Sequence, residues 1–143
     1  MIPIYATVPI AAVTAFLIGA AWYSPLLFGD AAIALRPAAQ AGTVAPSLPV
    51  IMSFEVLRCL ILSTAFAVAY WRLGITGLPG ALVLAVAVWG GFQVFAMIGS
   101  ILHESYPARL FAIHMGDALV KALAICVILA LLSEPLVATE EAP

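Results

Sequence analysis

PARLFAIHMGDALVKALAICVILALL, Pro107 to Leu132, is an apolar run that carries His114, Asp117 and Lys121 in its interior. At 1.5 Å per residue it is long enough to cross the ~30 Å hydrocarbon core of a bilayer. Ionisable groups at that depth are costly, so each points to a function or to a partner that neutralises it. At about 100° per residue the three fall within roughly 60° of one another on a helix. Asp117 precedes Lys121 by four residues, the favourable orientation for an ion pair. Ala112 and Gly116 lie on the opposite face, where small side chains let a neighbouring helix approach.

The rest of the chain has the same character. Of its 143 residues, 66% are hydrophobic and 8% charged, with a mean hydropathy of +1.22. Soluble domains carry about 25% charged residues, so too few polar groups remain here to cover a water-facing surface. The length allows one domain. A formal net charge of −2 without a basic run excludes nucleic acid as a partner. Cys59 and Cys126 both fall in apolar runs and lack Cys-x-x-Cys spacing, so they read as small buried hydrophobes. No metal site and no cofactor motif is expected. Gly19-Ala20-Ala21 could pass for a signal-peptide cleavage site. Yet no Lys or Arg precedes the first apolar run, which exceeds an h-region of about 7–15 residues. It reads as a retained membrane helix.

These features predict an all-α integral membrane protein, with four transmembrane helices in a bundle and both termini on the same side. The spans are expected at about 4–28, 50–71, 80–102 and 107–132, forming one domain over 1–132. An acidic tail over 133–143, with Glu134, Glu140 and Glu141, is expected to be disordered. In the first span Ala11, Ala15 and Gly19 recur every fourth residue and form a close-approach face. Tyr5 at one end, with Trp22 and Tyr23 at the other, suits the two membrane interfaces. Pro25 should bend or end the helix by Gly29. Asp30 can N-cap a short surface helix over Ala31–Arg36 that Pro37 stops, and Ala38–Ser47 is expected to be mobile.

In the second span Glu55 and Arg58 are three apart and therefore neighbours on one face. They are expected to pair locally, the alternative being a vestibule lining. Tyr70, Trp71 and Arg72 mark the far interface, and Gly74, Gly77 and Pro79 break a tight turn over Leu73–Pro79. The third span offers Ala87 and Gly91 as a second close-approach face. Its Gln93 needs a partner in lipid, and an interhelical hydrogen bond is expected. His103-Glu104 lacks zincin spacing, because position 107 is proline, so both read as solvated loop residues. Tyr23-Ser24-Pro25-Leu26-Leu27-Phe28 echoes Tyr106-Pro107-Ala108-Arg109-Leu110-Phe111, as a duplicated hairpin would.

The segment Trp22-Tyr23-Ser24-Pro25-Leu26-Leu27-Phe28-Gly29, with Leu110-Phe111-Ala112-Ile113 opening the last helix, resembles a family of small bacterial membrane proteins, domain of unknown function 1761. The resemblance covers most of the chain apart from the loop after Gly29 and the acidic tail. It implies a four-helix integral membrane protein of unassigned activity and adds no catalytic residue. Asp30 and Ala32 stand where the family usually has Lys and Trp, so a docking role for those positions does not carry over.

For function, the leading reading is a structural or binding membrane component. In it Asp117 and Lys121 neutralise each other, His114 bonds a neighbour, and the charges fix helix packing. The alternative is a small oligomeric carrier or channel that uses the His114, Asp117 and Lys121 stripe as a proton or ion path. His114 and Asp117 are too few for a metal, and Lys121 would repel a cation. An enzyme is not expected, since no nucleophile–base–orienter set is visible. The expected partners are the lipid bilayer and a second copy of the chain. The expected location is a cell membrane, specifically the bacterial inner membrane. Arg36 and Arg109, with Arg58 nearby, outweigh Arg72, which places the first and third loops in the cytoplasm.

Overall fold

The computed structural model describes residues 2–36, 46–104 and 106–133. Among the described residues four helices are long and apolar enough to cross a membrane: Ile4–Trp22, Leu48–Arg72, Gly77–Glu104 and Ala108–Leu132. In chain order the elements are α1 (Ile4–Trp22), α2 (Gly29–Ala34), α3 (Leu48–Arg72), α4 (Gly77–Val88), a π-helical turn (Trp89–Val94), α5 (Phe95–Glu104) and α6 (Ala108–Leu132). No strand is present among the described residues, only an isolated bridge between Ile2 and Ser133.

Helix α6 is the centre. It packs most extensively on α1 and α4, while α1 also packs on α3. The Ile2 N–H donates to the Leu132 carbonyl at 2.8 Å, so the first and last described residues meet at one end of the bundle. That end is closed. Ala11, Ala15, Ala81, Ala85, Ala122, Ile125, Cys126 and Leu129 are all fully buried there. Alanines from three helices let the axes come close, and α6 supplies the larger aliphatic side chains between them. Toward the other end α5 makes few contacts with α6, and the bundle opens.

Several boundaries differ from expectation. Helix α1 stops at Trp22, three residues before Pro25, rather than running to position 28. The residue before a proline avoids the α region, and the chain turns back instead: the N–H groups of Leu27 and Gly29 both donate to the Ser24 carbonyl. Helix α2 begins at Gly29, so Asp30 lies in its first turn and makes no side-chain cap. Helix α3 starts at Leu48 and takes in Pro49, whose missing N–H would have had no partner in a first turn. The turn before α4 is shorter than Leu73–Pro79, because Gly77 opens the helix and Pro79 sits in its first turn. Gly74 and Gly77 take φ of 59° and 72°, the left-handed region that glycine enters freely. His103 and Glu104 end α5 and are exposed, rather than belonging to a loop. Pro107 is the N-cap of α6. Most of the expected mobile loop and nearly all of the acidic tail lie outside the described residues. Ser133, placed in that tail, is buried and bonded back to Leu129.

Candidate binding cleft and its charge cluster

Lys121 Nζ donates to Asp117 Oδ2 at 2.8 Å, and the two side chains are only 3% and 4% exposed. One turn of α6 joins them, so the fold need not bring them together. Burial comes from α1. A Cβ added at Gly19 would sit 2.5 Å from Lys121 Nζ, so only glycine lets α1 lie directly over the pair. Ala11 and Ala15, on the same face, are fully buried. The close approach at Gly19 is thus to a lysine side chain.

The pair is not isolated. Arg58 Nη2 on α3 lies 2.7 Å from Glu55 Oε2 and 3.9 Å from Asp117 Oδ2. Glu55, Arg58, Asp117 and Lys121 therefore form one chain of alternating sign across two helices. Two positive and two negative groups cancel, which lowers the cost of holding charge at this depth. Arg58 keeps 53% of its side chain exposed, so the chain runs from a buried end at Lys121 to an open end on α3.

Above this cluster the Trp22–Gly29 segment clamps onto α6. Trp22 Nε1 donates to the Ile113 carbonyl at 3.0 Å, and its ring lies over Gly116, where an added Cβ would meet ring carbon at 2.8 Å. Phe28 packs on that ring at 4.7 Å between centroids. Tyr23 OH bonds His114 Nδ1 at 2.5 Å. A phenol that donates to Nδ1 leaves the ring proton on Nε2, whereas an Nδ1–H would donate to the phenol oxygen. Ser24 Oγ donates to the Ala21 carbonyl at 2.7 Å. At Gly29 an added Cβ would stand 2.4 Å from the Tyr23 carbonyl oxygen, so the turn closes only with glycine. Trp22 and Tyr23, read as interfacial aromatics, point into the protein. Tyr106 flanks His114 from the other side at 6.3 Å, at the same end of the bundle as Tyr23. Burial pushes the Tyr106 phenol above its ordinary value, so it stays neutral.

Other expectations fail within this one chain. Ala112 is exposed and packs on no buried face. Ala87 and Gly91 are exposed too, and nothing comes within 4 Å of a Cβ added at Gly91. The Gln93 Oε1 atom is buried with no hydrogen-bond partner among the described residues, as are Asp117 Oδ1 and Ser63 Oγ. Cys59 and Cys126, by contrast, are buried in the apolar core as expected. Trp89, not singled out from the sequence, donates Nε1–H to the Met115 carbonyl at 2.8 Å and ties the π-helical turn to α6. The signal was present: an indole N–H in mid-span needs an acceptor.

A cleft of about 500 Å³ opens beside the cluster, bordered by α3, the π-helical turn, α5 and α6. Arg58, Gln93, His114, Asp117 and Lys121 line it together with Leu62, Met97 and Met115. A second hollow of about 470 Å³ lies between α1, α2 and α3, against Phe16, Arg36 and Glu55. Among the described residues no group of three or more His, Cys, Asp or Glu side chains could hold a metal ion.

Four apolar spans among the described residues, with the charged α6 at their centre, define a multi-pass membrane protein. Residues 6–130 match the family model described as protein of unknown function (DUF1761), and the chain belongs to that family. No curated protein and no solved structure matches it.

Proposed function

We propose that this chain is a binding component of a membrane, in which buried charges fix helix packing and the open half of the bundle receives a small molecule. One observation carries this reading: a buried Asp117–Lys121 pair lining a cleft of about 500 Å³ into which Arg58, Gln93 and His114 also face. Sites of this kind are concave, mostly apolar and furnished with a few polar groups. The pair makes a rigid back wall, since moving either charge leaves the other buried without its partner. The reading includes no catalytic step. It places the chain in the bacterial inner membrane, with the loops holding Arg36 and Arg109 in the cytoplasm.

Thiol access tests it. With Cys59 and Cys126 replaced by alanine, Ala118→Cys in the cleft should react with a small thiol reagent, while Ala85→Cys in the closed half should not. An unreactive Ala118→Cys would remove the open cleft and with it the reading.

The π-helical turn supports a second reading, a carrier. Such turns often occur at functional sites, and this one carries Gln93 into the cleft. Proton flux in liposomes that disappears in Asp117→Ala would favour the carrier. Flux equal to that of protein-free liposomes favours binding.

A further inference from the structure

We propose that the cleft takes a neutral, hydroxyl-bearing amphiphile with the chemistry of a monoacylglycerol; this rests on the binding reading above and names its ligand class. Charge is the first argument. Glu55, Arg58, Asp117 and Lys121 already balance, through contacts of 2.7, 3.9 and 2.8 Å. In the cleft a cationic head would meet Lys121 and Arg58, and an anionic head would meet Asp117. Either would leave one uncompensated charge at bilayer depth. Two of the Arg58 donors, on Nε and Nη2, are already taken by Glu55.

Hydrogen bonding is the second argument. Gln93 Oε1 is a buried acceptor without a partner among the described residues, and its side chain lines the cleft; Asp117 Oδ1 is unpartnered too but lies toward Gly19 on α1. What Gln93 Oε1 lacks is a donor. A hydroxyl supplies one when the Gln93 amide turns toward it, and its oxygen can accept from a His114 ring that carries its proton on Nε2. Leaving a buried acceptor bare is costly, so an occupant that satisfies Gln93 is held. The third argument is the remaining wall. Leu62, Met97 and Met115 give an apolar strip along the cleft, and methionine adapts to a flexible chain. The volume of about 500 Å³ lies within the range of small-ligand sites.

The test is native mass spectrometry of the full chain in detergent micelles, with 1-monodecanoylglycerol, decanoate and decylammonium offered at equal concentration. The expected result is a 1:1 monodecanoylglycerol adduct, with at least tenfold less of either charged analogue. Gln93→Leu should weaken that adduct about tenfold, the loss of one good hydrogen bond, and Met97→Trp should abolish it by filling the cleft. Thermal unfolding establishes that each variant is folded, and Ala118→Leu replaces any that is not. A charged analogue bound as well as the neutral one, or an adduct unchanged by Gln93→Leu, overturns the proposal. No adduct while Ala118→Cys still reacts overturns the ligand class and leaves the binding reading standing. No adduct and no reaction remove both. A dimer that Met97→Trp dissociates would put a second copy in the cleft and also overturn the proposal.

Discussion

Adding one methyl group at Gly19 should change sign with its surroundings. The new Cβ would lie 2.5 Å from Lys121 Nζ and 2.9 Å from Cε, whereas ordinary contact begins near 3.4 Å. The end of a lysine can usually swing away cheaply. This one is held 2.8 Å from Asp117 with 3% of its side chain exposed, so swinging away breaks a buried pair. The other response is for α1 and α6, which share the most extensive interface in the bundle, to separate by up to about 1 Å. Overpacking of this kind costs about 1–3 kcal/mol. Against it stands the better helix propensity of alanine, about 1 kcal/mol. Gly19→Ala should therefore destabilise by up to about 2 kcal/mol, measured by reversible unfolding in mixed micelles. In a Lys121→Ala background the clash is gone, and the same substitution should be neutral or stabilising by up to about 1 kcal/mol. A Gly19→Ala effect of equal size and sign in both backgrounds would refute the close approach over the pair.

Three further outcomes follow, two from the clamp and one from the π-helical turn. Gly29→Ala forces a Cβ against the Tyr23 carbonyl, which is backbone and cannot rotate away; it should lower the melting temperature more than Gly19→Ala does. Gly116→Ala pushes the Trp22 ring off α6 and should cost about 1–3 kcal/mol, with a shift in tryptophan emission as the Ile113 hydrogen bond is lost. Trp89→Phe removes one donor to the Met115 carbonyl and should cost only about 1 kcal/mol in the same unfolding assay.

The four spans were legible because composition and length decide them, and α6 stood out by the price in free energy of its ionisable groups. The Asp117–Lys121 pairing followed from i,i+4 spacing on one helix. The Arg58 link to Asp117 did not, since it crosses between helices and no sequence spacing encodes it. For Trp22 and Tyr23 the sequence leaves the polar partner open, for a physical reason. An aromatic ring with one polar atom suits a lipid interface or a buried acceptor equally, and only the fold shows that Ile113 and His114 are within reach. The π-helical turn was invisible because six residues of altered pitch leave no trace in a span apolar all round. Ala112, Ala87 and Gly91 show the converse: small residues permit close packing, but a partner helix has to be there.

The central claim is that Asp117 and Lys121 are a structural pair, and substitution at both positions tests it most directly. Removing one partner of a buried pair costs about 3–5 kcal/mol, whereas replacing both with apolar groups is often near neutral. Asp117→Ala should be the worse single change. It strands Lys121, while Lys121→Ala leaves Asp117 with Arg58 at 3.9 Å. The account predicts strongly destabilised single variants and a folded Asp117→Leu/Lys121→Met double variant within about 1–2 kcal/mol of the parent. Two mild single variants, together with a proton flux that the double variant loses, would contradict it.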